Sequence, residues 1–194
     1  MKLYLCEKPS QGKDVAKFLG MTPANKKQGY YERGEVVVTW AVGHLFKLQP
    51  PEHYTPSLKG KWAFTSLPVM PEEYQYSLDS KSKPQFNVIK RLLKKADSVF
   101  IATDPDPEGE AIARNILKFA AYKKDVFRVL YGSTDKKTLT KAFANPLPVW
   151  ETEWMYKVAI ARAQSDWVVG MNLTMAMTLV TQRLESSGGF KKAF

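Results

Sequence analysis

Asp104, Asp106 and Glu108 stand at alternate positions between the apolar run that opens the segment I-A-T-D-P-D-P-E-G-E-A-I and the helical pattern that follows. Alternate side chains of an extended chain point the same way, and a residue that precedes proline favours extended backbone. Asp104 and Asp106 are therefore expected to project together from the end of a strand. Clustered carboxylate oxygens suit a hard cation such as Mg²⁺, with Mn²⁺ as an alternative. A solvated acidic turn that only caps a helix is the competing interpretation.

Apolar spacing on either side of the acids predicts the elements that position them. Residues 99–102 form a short apolar run that is typical of a buried strand. Apolar residues then recur with helical spacing from Ile112 to Ala120. Between the two elements, Asp106 is predicted to N-cap the helix, with Pro107 at its first position.

A second segment, M-K-L-Y-L-C-E-K-P-S, predicts another short strand that ends in Glu7 and Lys8 and runs into a helix. Ser10 is the predicted N-cap of that helix, and Gly20 is its predicted end. A strand, an acid and a helix are thus followed by a strand, an acid cluster and a helix. This order resembles the Toprim domain, in which a glutamate on the first strand faces a D-x-D-x-E on a later strand.

Further segments narrow the resemblance to type IA DNA topoisomerases, particularly the topoisomerase III branch. The segment V-T-W-A-V-G-H-L at 38–45 looks like the V-T-W-x-x-G-H-L segment of that branch. Other matches follow in the same order: L-P-V-M-P at 67–71, N-V-I-K at 87–90, A-R-A-Q-S-D-W at 161–167 and G-M-N-L-T at 170–174.

The resemblance implies an α/β fold: a Toprim, Rossmann-like, mostly parallel sheet with helices on both faces, followed by a short helical segment. Alternating strand and helix patterns agree with it. They predict a hairpin at 30–32 and 36–41, helices near 84–96, 108–122 and 135–144, a strand at 127–130, and long, partly ordered connections at 46–84. The proline-rich run at 145–149 predicts a domain boundary. The resemblance implies a Toprim domain at 1–146 and, at 150–194, the truncated start of a helical DNA-binding domain.

The resemblance also assigns chemistry to individual residues. Type IA enzymes cut one DNA strand by tyrosine attack on a phosphodiester and then reseal it. By this match, Glu7 is the proton-transferring carboxyl and Lys8 contacts the scissile phosphate. Asp104, Asp106 and Glu108 hold Mg²⁺, with Glu7 as a further candidate ligand.

The charge of the chain indicates a polyanionic partner. Its 29 Lys and Arg residues outnumber its 19 Asp and Glu residues, for a net charge of +10. Such an excess favours sequence-independent, salt-sensitive DNA binding. The resemblance implies single-stranded DNA and places His44, Arg162 and Asp166 against it.

Targeting signals and cysteine content bear on the compartment. No apolar run reaches 18 residues and no signal-peptide pattern is present, so we expect no membrane association and a cytoplasmic location. The single cysteine, Cys6, fits a reducing compartment.

The chain departs from the family pattern where the family has phosphate-binding or nucleophilic groups. Pro107 stands where the branch usually has arginine in D-P-D-R-E-G, and Gln164 and Met175 stand at other positions where arginine is common. None of the nine tyrosines lies in the family's Y-x-R-T context, and residues 185–194 do not match the expected S-V-G-R-V-Q-T-P. Cleavage would therefore require a tyrosine that these residues do not supply, and a tyrosine-containing topoisomerase domain that acts in trans is a candidate partner.

Three functions compete on this sequence. The first is the N-terminal Toprim part of a topoisomerase III-like enzyme, catalytically incomplete as this chain. The second is a free-standing Toprim nuclease that hydrolyses phosphodiesters with a metal ion and no tyrosine. The third is a non-catalytic module that binds DNA or a protein partner.

Overall fold

The fold is described from a computed structural model, which covers residues 1–186. The strands are β1 (Lys2–Cys6), β2 (Lys26–Lys27), β3 (Tyr30–Arg33), β4 (Val36–Trp40), β5 (Phe46–Leu48), β6 (Tyr76–Leu78), β7 (Ser98–Ile101), β8 (Asp125–Arg128) and β9 (Leu147–Pro148). The helices are α1 (Pro9–Phe18), α2 (Pro51–Tyr54), α3 (Lys83–Lys95), α4 (Pro107–Phe119), α5 (Lys136–Ala144) and α6 (Glu153–Ser186). Residues 187–194, including most of the segment that departs from S-V-G-R-V-Q-T-P, lie outside the described range.

Seven of the strands form one sheet in the order β2-β3-β4-β1-β7-β8-β9. Its four central strands, β4, β1, β7 and β8, run parallel, and the outer pairs are antiparallel. The predicted α/β fold with a mostly parallel sheet is therefore confirmed. Strands β5 and β6 form a separate two-stranded ribbon.

Helices cover the sheet on both faces. Cys6, Val38 and Ala102 share one face and pack against Val15 of α1 and Leu139 of α5. Residues of opposite parity on the central strands point to the other face and are fully buried, including Leu3, Leu5, Val37, Val99 and Ile101. From β1, through α1, the chain proceeds towards β4, whereas from β4 to β7, through α3, and from β7 to β8, through α4, it crosses the sheet in the opposite direction. Because such crossovers between parallel strands are right-handed, α3 and α4 lie on the second face.

Most of the predicted elements are present, with ends displaced by at most three residues. The hairpin of β3 and β4 is confirmed, as are helices near 84–96, 108–122 and 135–144. The predicted N-cap of α1 is wrong: the helix begins at Pro9, and Lys8 occupies the cap position without a side-chain bond. The N–H of a first helical residue has no acceptor within the helix, so proline loses nothing there, and its fixed φ is already helical. The helix therefore starts one residue before Ser10.

The chain divides into two compact units, the first being Met1–Lys47 with Leu78–Ile160 and the second Leu48–Ser77 with Ala161–Phe194. This division differs from the domains at 1–146 and 150–194 that the proline-rich run suggests. Residues 48–77, expected to be long connections, supply half of the second unit. Its core contains Leu58, Val69, Trp167 and Met175. Along residues 1–186 we find no helix with the length and apolar character that a bilayer span requires.

A buried ion pair joins α4 to β8 in the first unit. Arg128 and Glu110 are both fully buried, and Arg128 Nε donates to Glu110 Oε2 at 2.8 Å. Glu110 Oε1 also accepts from Arg114 Nε at 2.7 Å and from the Thr152 hydroxyl at 2.8 Å. The other donors of Arg128 reach main-chain carbonyls, including Thr103 O at 3.0 Å. Burial lowers the pKa of Arg128, and the adjacent Glu110 carboxylate opposes that change.

Removing the buried cation should destabilise the chain strongly. Arg128→Met leaves carbonyls without a donor and Glu110 short of a charge partner, which typically costs about 3–5 kcal/mol. Denaturant unfolding measures this cost, with Arg91→Met on the exposed side of α3 as the control, expected within about 0.5 kcal/mol of the parent. Glu110→Gln combined with Arg128→Met should recover part of the loss. A cost below about 1 kcal/mol for Arg128→Met would contradict the structural role assigned to the pair.

Candidate functional site

The candidate site lies where the neighbouring parallel strands β1 and β7 end. The Ala102 N–H donates to Leu5 O at 2.8 Å, which continues the ladder to the last residues of both strands. Beyond it, the Asp104 N–H donates to Glu7 Oε2 at 3.3 Å. From β1 the chain continues to β4 on one side, and from β7 to β8 on the other. Such a reversal of strand order opens a crevice at the carboxyl edge of an α/β sheet.

A buried glutamine links the two strand ends. Gln11 is 5% exposed on the first turns of α1. Its Oε1 accepts from the Glu7 N–H at 2.7 Å, and its Nε2 donates to Asp104 Oδ1 at 2.9 Å. The sequence interpretation missed this residue, because its partner Asp104 lies 93 positions away and a glutamine on a helix carries no motif signal.

Lys8 forms an ion pair with the first acid of the cluster. Its Nζ lies 3.2 Å from Asp104 Oδ2, and both side chains are partly exposed. The hydrogen bond to Asp104, followed by the charge of that carboxylate, raises the pKa of Lys8. The ammonium group is therefore held in its charged form at an open position, where it can also meet an incoming anion.

Glu7 is the carboxyl whose environment favours protonation. Partial burial raises its pKa most, and the charges of Asp104 and, to a smaller extent, Asp106 raise it further. The bond from the Asp104 N–H and the charge of Lys8 oppose this rise without cancelling it. A carboxyl with a raised pKa is suited to proton transfer in a reaction that creates an alkoxide.

The other two acids turn towards different partners. Asp106 Oδ1 accepts from the Gly109 N–H at 2.7 Å, so the predicted N-cap of α4 is confirmed, with Pro107 as the first helical residue. Glu108 is largely exposed, and its Oε1 lies 3.0 Å from His44 Nε2. Within residues 1–186, no group of three His, Cys, Asp or Glu side chains is assembled as a metal site. The metal role of Asp104, Asp106 and Glu108 thus stays a prediction.

Gly109 allows α4 to begin in contact with the end of β7. A Cβ at this position would lie 2.4 Å from Asp104 O and 3.1 Å from Glu7 Oε2. The first of these is a main-chain atom that cannot rotate away. The Thr103 hydroxyl, which is buried, donates to Gly109 O at 2.9 Å and holds the same approach.

Two of the acids open onto a shared cavity of about 400 Å³. It is lined by Lys8, Ser10, Gln11, Asp14, Asp104, Pro105, Asp106, Tyr131, Gly132, Ser133 and Thr134. Asp104 and Asp106 supply only oxygen donors to this space, which is the ligand type that Mg²⁺ takes while it keeps several waters. The donor set therefore fits a partly hydrated divalent ion, although Glu108 is not part of the lining.

The remaining predicted residues belong to the second unit. Arg162 and Asp166 lie one turn apart on α6, with Arg162 Nε 3.8 Å from Asp166 Oδ2. Both side chains are mostly exposed, so the pair contributes little to stability. Their assignment to DNA rests on the motif match alone.

Comparison with known proteins identifies what this chain is similar to. The Toprim domain model matches residues 2–131. A DNA topoisomerase 3 from Staphylococcus haemolyticus is 39% identical over 178 residues, and one from Staphylococcus aureus is 37% identical over the same length. Each alignment covers 91% of this chain and 25% of the relative, so the chain spans about a quarter of the length of those proteins.

A solved structure supports the fold. Full-length topoisomerase I from Thermotoga maritima aligns with a TM-score of 0.57 at 20% sequence identity. The alignment covers 86% of this chain and 24% of that one.

The raised pKa of Glu7 predicts a pH-dependent effect of Glu7→Gln in metal-free buffer. The folded chain holds the Glu7 proton more tightly than the unfolded chain, so stability falls as pH rises from about 4.5 through the raised pKa. Glutamine does not titrate and can still accept the Asp104 N–H. The variant should therefore gain stability relative to the parent as the pH rises towards neutrality.

Thermal unfolding between about pH 4 and pH 8 tests this expectation, with Glu72→Gln in the second unit as an exposed control. A constant difference between the Glu7→Gln variant and the parent across that range would contradict the raised pKa.

Proposed function

The chain belongs to the Toprim domain family, and from this premise we propose that it is the Toprim-containing part of a type IA DNA topoisomerase of the topoisomerase III kind. The observation that carries the proposal is the pairing of Glu7 with Asp104 at the adjoining ends of β1 and β7. The names of the Staphylococcus relatives support the same choice.

The geometry suits one half of a strand-cleavage reaction. When a tyrosine attacks a DNA phosphodiester, the departing 3′-oxygen needs a proton and the phosphoryl oxygens need positive charge. Glu7, with its raised pKa, is the proton donor to that oxygen in cleavage and the acceptor in resealing. Lys8 contacts the phosphate as a point charge, while its pairing with Asp104 restrains the ammonium group near the acids.

A divalent ion completes the proposed site. Asp104 and Asp106 would hold Mg²⁺, or Mn²⁺ in its place, with Glu108 and Glu7 as further ligands. The ion would supply positive charge that holds the broken DNA ends for resealing. Pro107, which stands where the family usually has arginine, leaves these carboxylates without a neighbouring cation at that position.

DNA contacts and the nucleophile are assigned to residues outside the acid cluster. Single-stranded DNA is the proposed substrate, with His44, Arg162 and Asp166 as contact residues and the cytoplasm as the site of action. No tyrosine of the 194 residues lies in a Y-x-R-T context. The proposal therefore assigns the attacking tyrosine to a separate topoisomerase domain that acts together with this one.

Metal binding at the acid cluster is directly testable. In about 10 mM MgCl₂, a site with a Kd on the order of 1 mM stabilises the folded chain by about 1.4 kcal/mol. Asp104→Asn with Asp106→Asn should abolish this gain, and the fold should be kept because asparagine also caps helices well. Glu72→Gln with Glu73→Gln, which neutralises exposed carboxylates of the second unit, is the matched control. An equal gain in the asparagine double variant would place the ion elsewhere.

The absence of a nucleophile in register predicts the behaviour of this chain with DNA. Groups that act as a unit lose nearly all activity when one is missing. Incubation with negatively supercoiled plasmid and Mg²⁺ should yield neither relaxed topoisomers nor a covalent protein–DNA adduct. An adduct that maps to one of the chain's own tyrosines would overturn the proposed division of the site. Nicking without an adduct, lost in Glu7→Gln, would favour the nuclease alternative.

A further inference from the structure

The amino-terminal edge of the seven-stranded sheet brings together three segments of chain that the proposed reaction does not use. The amino group of Met1 contacts Asp97, between α3 and β7, and lies 3.1 Å from a carboxylate oxygen of Glu35. Lys124, between α4 and β8, donates to Ala96 O at 2.7 Å. The start of β1 and the ends of the α3–β7 and α4–β8 connections therefore form one continuous surface.

This amino-edge surface carries a dense set of exposed cations. Its members are Lys2, Lys94, Lys95, Lys118, Lys123 and Lys124. Together with the amino terminus they make seven positive groups, against the three carboxylates Glu35, Asp97 and Asp125. Asp97 already pairs with the amino terminus and with Lys124, and Glu35 pairs with the amino terminus. Within residues 1–186, the other five lysines form no ion pair.

Helix stabilisation accounts for only part of this cluster. Lys94, Lys95 and Lys118 lie in the last turns of α3 and α4, where cations interact favourably with the helix dipole. Lys2 lies in β1, and Lys123 lies between α4 and β8, so neither is at a helix end. Each adds repulsion to a surface that is already positive.

The candidate site at the opposite edge of the sheet is instead rich in carboxylates. Glu7, Asp104, Asp106 and Glu108 lie at the carboxyl edge, where Lys8 is already paired with Asp104. A polyanion attracted by the net charge of +10 meets carboxylates at that edge and unpaired ammonium groups at the other.

We propose that the amino-edge surface binds the phosphate backbone of duplex DNA. A duplex presents about one negative charge per 1.7 Å of its axis, which suits a row of point charges. Binding to a splayed single strand usually needs an aromatic platform for the bases. The nearby Phe119 is stacked on Phe46 with ring centroids 4.1 Å apart, so this ring is engaged within the protein. The surface uses neither the metal nor the tyrosine, and it goes beyond the proposed reaction.

Charge reversal on the amino-edge surface, compared with equal charge reversal on α5, tests the proposal. The probe is a fluorescein-labelled duplex of about 20 base pairs, measured by anisotropy in EDTA between about 50 and 200 mM NaCl. Lys94→Glu, Lys95→Glu and Lys123→Glu together should lower the affinity at least about tenfold and reduce the slope of log K against log salt by about two to three. The control changes the charge equally on exposed α5 positions, as Lys136→Glu, Lys137→Glu and Lys141→Glu, and should cost less than about threefold.

The outcomes separate this surface from the acid site. An equal loss of affinity in both triple variants would show that only the net charge matters. An unchanged affinity in the amino-edge variant would show that this surface does not bind the duplex. Either result overturns the proposal. Lys94→Gln, Lys95→Gln and Lys123→Gln together remove the charges without reversing them. This variant should show a smaller loss of affinity and keep the melting temperature of the parent, which excludes misfolding as the cause. Asp104→Asn with Asp106→Asn should keep duplex binding, so failure of the metal site leaves this result unaffected.

Discussion

The hydrogen bonds of the buried Arg128 guanidinium determine where the acid cluster begins. Its Nη1 donates to Ile101 O, Thr103 O and Val129 O, and its Nη2 donates to Asp104 O at 2.5 Å. Ile101 O also accepts from the Val129 N–H at 2.8 Å, which is the last ladder bond between β7 and β8. Thr103 O lies beyond that ladder, and a buried carbonyl that lacks a donor is costly. Glu110 neutralises the guanidinium and is itself held by Arg114 and Thr152. The end of β7, and with it Asp104, is thereby fixed from inside the protein.

Close packing fixes the same place from the other side. Gly109 brings the first turn of α4 against Asp104 O, and Gln11 joins Asp104 to the main chain of Glu7. Arg128, Gly109 and Gln11 thus each constrain the chain at Asp104, in the connection between β7 and α4. Burial raises the pKa of the half-buried Glu7 carboxyl most, and its placement beside Asp104, whose charge repels it, raises that pKa further. Rigid placement of repelling groups is a common way to tune acids for catalysis.

Local sequence was sufficient to predict the elements but not the contacts that hold them. The strand before Asp104, the cap formed by Asp106 and the hairpin of β3 and β4 follow from spacing over a few residues, and each is confirmed. Ser10 failed as a cap because Pro9 is a better first helical residue. Gln11 and the Arg128–Glu110 pair could not be foreseen, because their partners are remote in sequence and buried polar pairing leaves no periodic pattern. The packing of residues 48–77 could not be foreseen for a related reason: their apolar partners lie on α6, more than 90 positions later.

The discontinuity of the second unit has a consequence for the order of events during synthesis. The Trp167 indole donates to Gln49 O across 118 positions, and Asn172 bonds both the N–H and the carbonyl of Val69 across 103. A ribosome that adds about 5–20 residues per second needs roughly 5–20 s to make that intervening chain. During this interval Leu58 and Val69 have emerged without the helix that covers them. The first half of this unit therefore waits, with apolar side chains open to chaperones or to misfolding, until α6 has been translated.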